Sequence, residues 1–267
     1  MNEELACLDG RIAPAADTAI PATDEGFLRG DGVFEVIRVY DGVPFALADH
    51  LARLERSTTN LRLGWSAPRS DLERDVAELL DARGGADFDG CLRIVLTRGG
   101  RRLLLTEALP AMPEQVRVAF VEYCPTRLLD GVKSLSYAAN MLATRCAKER
   151  GFDEALLVTP HGRVLEAPTS ALFWCAPDGT LLTPPLDDHI LASITRAHVM
   201  DATGAEERVC TKDDLKQATE AFLASTIREV QPVVAIEDIE LEGPGEHTRA
   251  AATGLRARIR EELAAGA

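Results

Sequence analysis

Residues 29–57 read RGDGVFEVIRVYDGVPFALADHLARLERS. The run Phe34–Tyr40 is rich in Val, Ile and aromatic residues, and Asp41-Gly42 follows it. An Asp-Gly pair between β-rich runs signals a tight hairpin, so VPFALAD is expected to return as a second strand. From Asp49, DHLARLERSTTNLRL changes period. Leu51, Leu54 and Leu61 fall on one helical face, with Asp49 as the expected N-cap. A hairpin followed directly by a helix is α+β in character.

The same mixture continues outward. SDLERDVAELLDARGG has apolar residues at 72, 76, 79 and 80 and stops at Gly-Gly, as a helix does. CLRIVLTRG and VRVAFVEYC read as strands. SYAANMLATRCAKERG reads as a helix with Gly151 just past its end. Short strands follow in EALLVTP, RVLEAP, ALFWCA and TLLTPP, separated by turns at Pro160–Gly162 and Pro177–Gly179. Helices are expected near 193–202, over KDDLKQATEAFLAS, and from His247 onward. The reading is two halves, a smaller domain over 1–119 and a larger one over 120–267, with fraying at the Ala-rich end.

Composition bounds the function. The 267 residues are 46% hydrophobic and 27% charged, ordinary for a globular chain. A net charge of −14 argues against sequence-independent nucleic-acid binding, which needs a basic surface. It also disfavours an anionic membrane surface. No apolar run approaches the ~20 residues needed to span a bilayer, and the N-terminus has no leader-like segment. Six cysteines without CxxC pairs read as buried reduced thiols of a cytoplasmic protein. The five histidines show no ligand spacing, so no metal site is expected. Arg29-Gly-Asp31 spells an adhesion tripeptide, which a chain of this reading gives no reason to use. Asp31 and Glu35 read as turn and strand positions rather than an acid–base pair.

Lysine usage is unusual. There are four, Lys133, Lys148, Lys212 and Lys216, and none precedes position 133. Three sit among opposite charges on helical patterns. Lys133, in GVKSLSYAAN, has apolar neighbours, and a desolvated amine is a candidate nucleophile for imine chemistry. Glu166 in GRVLEAPTSALFWC is a lone carboxylate in an apolar run, costly to bury without a positive partner. Ser193–Thr195 stand at an expected helix start, where N–H groups hold phosphate. Ser225 and Thr226, in FLASTIREVQPV, offer hydroxyls after an expected helix. Arg53 completes a list that suits a phosphorylated pyridine aldehyde: an amine for the aldehyde, a carboxylate for the ring nitrogen, an arginine and N–H groups for the phosphate.

GDGVFEVIRVY, HLARL, VKSLSY, GFDEALLV, GRVLEAPTSALFW, LLTPPL, ILASITR and STIREVQPV, taken in this order, resemble the fold-type IV (class IV) pyridoxal-phosphate enzymes. That group contains branched-chain and D-amino acid aminotransferases and aminodeoxychorismate lyases. The resemblance spans about Gly26 to Val234. It implies a small N-terminal α/β domain, a larger β-barrel-like domain with helices, pyridoxal 5'-phosphate as cofactor, and a homodimer. It further implies that Lys133 forms the imine with the cofactor. Tyr137 would meet the phenolic oxygen, Glu166 the pyridine nitrogen, and Arg53, Ser193, Ile194, Thr195, Ser225 and Thr226 the phosphate. Ser193 replaces the glycine usual in the Gly-Ile-Thr-Arg turn, and EAPTSA departs from the usual sequence after the glutamate.

Substrate contacts are expected from Phe34, Arg38, Arg93 and Arg101. Phe34 stands where D-amino acid enzymes carry tyrosine. The expected activity is transfer of an amino group between an α-amino acid and a 2-oxo acid, branched-chain type first and D-amino acid type second. The alternatives are a lyase forming 4-aminobenzoate and pyruvate, and a cofactor-binding protein without turnover.

Overall fold

The computed structural model describes residues 4–65 and 67–266; the extreme ends of the leader and tail readings, residues 1–3 and 267, lie outside them. The chain forms two compact units. The first runs through Pro110 and adds Gly131–Tyr137 and the C-terminal end from Glu261; the second comprises Ala111–Asp130 and Ala138–Arg260. The units therefore interleave along the chain, where the sequence suggests one boundary after residue 119.

In the first unit, β1 (Leu5–Leu8) and β2 (Arg11–Pro14) form a hairpin, and a short α1 (Glu25–Arg29) leads into β3 (Gly32–Tyr40). The Asp41-Gly42 turn is present, with φ of 48° and 80° at its two residues. The returning strand β4 is only Val43–Pro44, shorter than VPFALAD suggests. Helix α2 (Leu47–Asn60) begins at once, and Ala46, with φ 54°, is its N-cap in place of Asp49, which lies inside the first turn. Helix α3 (Arg69–Arg83) precedes β5 (Gly90–Thr97) and β6 (Arg102–Glu107). The strands form an antiparallel sheet ordered β2-β1-β6-β5-β3-β4. Helix α2 packs on β3, and α3 packs on β1 and β6.

The brevity of β4 has a consequence. It pairs with β3 only at Val39 and Tyr40, so the N-terminal part of that strand edge keeps unpaired backbone groups. The stretch 133–135 satisfies them. Phe34 N–H donates to the Lys133 carbonyl (3.0 Å), Leu135 N–H donates to the Gly32 carbonyl (2.9 Å), and Val33 bridges Ser134. Gly32 permits the approach, because a Cβ there would stand 2.6 Å from Leu135 Cδ1. The lysine-bearing stretch is thus held by the first unit.

The second unit is built on β7 (Val116–Glu122), α4 (Ala138–Glu149), β8 (Glu154–Val158), β9 (Arg163–Val164), β10 (Ala171–Cys175) and β11 (Leu181–Thr183). Then come α5 (Ile194–Thr203), β12 (Glu206–Glu207), β13 (Cys210–Thr211), α6 (Lys212–Lys216), β14 (Glu220–Ser225), β15 (Glu229–Ile236), β16 (Ile239–Glu240) and α7 (Glu246–Gly266). The sheet runs β12-β11-β10-β14-β15-β7-β8-β9-β13, with β16 on β15. Pairing is parallel at β15–β7, β7–β8 and β11–β12 and otherwise antiparallel. The fold is α+β with a curled half-barrel sheet.

One expected helix is corrected. KDDLKQATEAFLAS is helical only over Lys212–Lys216, and Glu220–Ser225 is a strand. Its continuous apolar run is buried on both faces between β10 and β15, where a period-2 alternation is absent and length alone misleads. Trp174, Phe173, Phe222 and Leu223 anchor the core around it. Phe173 and Phe222 stack with centroids 4.9 Å apart. The cysteine reading also needs amendment: Cys7, Cys91, Cys175 and Cys210 are buried thiols, but Cys124 is exposed and Cys146 half-buried.

Candidate active site

Lys133 is fixed at both of its backbone groups. Its carbonyl accepts from Phe34, and its N–H donates to Ser57 Oγ on α2 (3.1 Å). The side chain then lies along aromatic faces. Nζ is 4.6 Å from the Phe34 ring centroid and 5.8 Å from that of Tyr137, and the two rings meet edge to face at 5.3 Å.

Helix α2 supplies the groups around it. His50, Arg53, Leu54 and Ser57 follow the i, i+3, i+4, i+7 spacing of one helical face, and all four are buried. That face meets Glu35 of β3, which has no solvent exposure. Arg53 grips Glu35 with Nε on Oε1 (2.7 Å) and Nη2 on Oε2 (2.6 Å), and His50 Nδ1 lies 2.7 Å from Oε2. Burial pushes the Glu35 carboxyl up, but the hydrogen bonds from Arg53 and His50 and the charge of Arg53 overcome it and hold it at about 2. Burial pushes His50 down against the opposing pull of Glu35, with Arg53 and Lys133 adding to the fall. His50 is accordingly neutral and donates from Nδ1–H. Glu35 balances the charge of Arg53 within this buried cluster. The sequence reading took Glu35 only as a strand position and gave His50 and Ser57 no place in the site; for those two, the helical spacing shared with Arg53 was the available signal.

The expected substrate residues divide. Phe34 borders the amine. Arg93 pairs with Glu107 (2.9 Å) and places its guanidinium 5.8 Å from the Phe34 ring centroid. Arg38 lies four residues further along β3, about 13 Å away by strand rise. There it binds Asp89 (2.6 Å) and the Gly90 carbonyl (3.1 Å) and stacks on Tyr40. Arg101 is in the β5–β6 turn, paired with Asp9 (2.8 Å). Neither is gathered with Lys133 by any described contact. Asp31 pairs with Arg98, as a turn residue would.

In the second unit, Glu166 lies just beyond β9, half-buried rather than inside an apolar strand. Its Oε1 accepts from the Leu191 N–H (3.1 Å), and the Leu191 carbonyl accepts from Ser193 N–H (2.8 Å). The carboxylate is therefore tied to the segment entering α5. Ser193 is the N-cap, its Oγ accepting from Arg196 N–H (3.2 Å). The N–H groups of Ile194 and Thr195 precede the first intrahelical bond and point out of the helix start. Buried Arg196 anchors this end through Thr183 Oγ1, the Pro184 carbonyl and Glu207. Tyr123 stands near Glu166; burial raises its phenol, and the Glu166 charge adds to the rise.

Ser225 ends a strand, β14, in place of the expected helix, and Thr226 opens the turn to β15. Ser225 Oγ accepts from Arg228 N–H (3.3 Å). The Arg228 guanidinium runs inward to buried Glu154 (2.6 Å), which also accepts from Thr144 Oγ1 (2.6 Å). A buried ion pair thus fixes the turn that displays the two hydroxyls.

The donor set fits a phosphorylated pyridine aldehyde within each unit. The first holds an amine with an adjoining phenol; the second holds a carboxylate hydrogen-bonded into the loop that opens a helix N-terminus.

Comparison with known proteins agrees. The family described as Amino-transferase class IV matches residues 32–236. A D-alanine aminotransferase of Bacillus licheniformis is 30% identical over 96% of this chain and 97% of its own. The structure of a fold IV transaminase from Curtobacterium pusillum superposes with a TM-score of 0.81 at 30% identity, covering 96% of this chain and 98% of that one. That of a branched-chain aminotransferase from Thermoproteus uzoniensis with norvaline gives 0.84 at 29%, covering 97% and 95%. A family match across both units, with the ordered lysine, glutamate and helix-start residues inside it, means that the chain belongs to the class IV aminotransferases, a pyridoxal-phosphate-dependent family of enzymes.

Proposed function

We propose that this protein transfers amino groups between an α-amino acid of the branched-chain type and a 2-oxo acid, using pyridoxal 5'-phosphate attached through Lys133. The observation that carries the reading is the placement of Lys133, with both backbone groups anchored and its amine against two aromatic faces. When bound, the cofactor supplies an electron sink for charge developing at the substrate Cα.

The chain's own residues do the rest. With its amine unprotonated, Lys133 would serve as the positioned general base that takes the proton from the substrate Cα and would carry it until it is returned. Glu166 would hold the ring nitrogen in its protonated form. Tyr137 would donate to the phenolic oxygen. Ser193, Ile194, Thr195, Ser225 and Thr226 would hold the phosphate. Arg53, which grips Glu35 through Nε and Nη2, would join them.

Phe34 supports the branched-chain type, because its bare ring offers an apolar wall to an aliphatic side chain. Arg93, beside that ring, would take a carboxylate. The resemblance to a D-alanine aminotransferase supports a D-amino acid second reading. The same reading carries a homodimer, checked by light scattering.

The test is a half-reaction panel. Wild-type protein with bound cofactor should bleach its visible absorbance with L-leucine, and Lys133→Ala should have no such band. A response to D-alanine alone would refute the first choice in favour of the second. Pyruvate released from aminodeoxychorismate, with no amino-acid response, would make it a lyase. Cofactor retention with no reaction at all would leave a binding protein without turnover.

A further inference from the structure

Away from these residues, three metal-ligating side chains converge in the second unit. Cys175 ends β10 and Glu220 begins β14; they are Cα partners in the antiparallel ladder, so both side chains leave the sheet on one face. His247 stands in the first turn of α7. Its backbone N–H donates to Glu220 Oε1 (3.0 Å), which pins the helix start over the carboxylate. Gly245 makes the approach possible, since a Cβ there would lie 2.5–2.7 Å from the Glu220 carboxyl atoms. The ligand atoms of Cys175, Glu220 and His247 all lie within 4.8 Å of one another.

We propose that Cys175, Glu220 and His247 form a binding site for a divalent transition metal, zinc above all, that ties the β10–β14 pair to the start of α7. One sulfur, one imidazole nitrogen and one carboxylate oxygen is a zinc-type ligand set, whereas calcium and magnesium take oxygen alone. Bonds of about 2.0–2.3 Å in a tetrahedron put neighbouring ligand atoms about 3.3–3.8 Å apart, so side-chain rotation closes the set.

Charge and hydrogen bonding agree with the assignment. Glu220 accepts three hydrogen bonds, from the N–H groups of His247 and Thr248 and from Thr248 Oγ1, which hold its carboxylate in place. Oε2 takes both Thr248 donors, while among the described residues Oε1 takes only the His247 N–H, which leaves it a lone pair for a metal. The Cys175 thiol, which rests on the Ala176 carbonyl (3.4 Å), would release its proton to solvent as the S–metal bond forms. Thiolate and carboxylate together balance a dication. The half-exposed His247 side leaves the fourth position to water.

The test uses the full-length protein with its cofactor bound, stripped with chelator and reloaded with zinc. X-ray absorption at the zinc edge should show one sulfur among nitrogen and oxygen ligands, at one zinc per chain. Zinc, but not magnesium, should raise the unfolding midpoint. Cys175→Ser should lose the sulfur shell, and His247→Ala, which keeps its capping N–H, should weaken zinc by at least about tenfold. Zinc that washes out of the wild type would overturn the proposal. So would a sulfur shell that survives in Cys175→Ser, since the metal would then sit on another cysteine.

Discussion

Replacing Glu35 with glutamine removes the charge from a fully buried carboxylate while keeping its shape. Glu35 takes two hydrogen bonds from Arg53 and one from His50, at 2.6–2.7 Å. Glutamine keeps one acceptor oxygen but turns an NH2 group toward donors, leaving a guanidinium without its counter-charge. Breaking one partner of a buried ion pair costs about 3–5 kcal/mol. The pH dependence gives an independent figure. A carboxyl lowered from 4.5 to about 2 favours the charged folded form by about 3 kcal/mol, at about 1.4 kcal/mol per pKa unit. Because the folded pKa is depressed, this stability is complete above the unfolded value and is lost as pH falls from about 5 towards 2. His50, also depressed, acts in the same sense, its contribution being lost as pH falls below its unfolded value. Urea unfolding of wild type and Glu35→Gln should therefore differ by about 3–5 kcal/mol at pH 7 and converge at low pH. A difference below about 1 kcal/mol at neutral pH, or one that stays constant down to pH ~3, would refute the idea that this pair supports β3 and α2.

Three further substitutions probe the packing. Leu92→Ala empties a fully buried position on β5 and should cost about 2–5 kcal/mol in urea unfolding. Gly42→Ala forces a Cβ to 2.4 Å from the Gly85 carbonyl at a φ of 80°, and should lower stability by more than about 1–2 kcal/mol, the left-handed penalty alone. Arg228→Met strands buried Glu154 and should cost about 3–5 kcal/mol, and it should also speed cofactor loss on dilution by loosening the Ser225–Thr226 turn. A stable Arg228→Met protein with unchanged cofactor retention would show that the turn does not need its anchor.

Much of the local structure is legible along the chain because it depends on neighbours in sequence. The Asp41-Gly42 hairpin, the α3 face of Leu72, Val76, Leu79 and Leu80, and the Ser193 cap are set by dihedral preference, period 3.6 and a short side-chain reach. Lys133 is conspicuous by rarity alone. Glu220–Ser225 is misread because a run buried on both faces carries no alternation.

What the sequence determined by itself was the α+β class, the family, and the order of the amine, carboxylate and helix-start residues, all written in local pattern. Only the tertiary structure decided what those residues touch. It committed Arg53 to Glu35, drew 133–135 onto the open edge of β3, and paired Arg38 with Asp89 and Arg101 with Asp9. It also brought Cys175, Glu220 and His247 together across gaps of 45 and 27 residues, which no spacing rule could signal. Partners so distant in sequence are chosen by strand register and helix docking, and those depend on burial summed over the whole core rather than on any one segment.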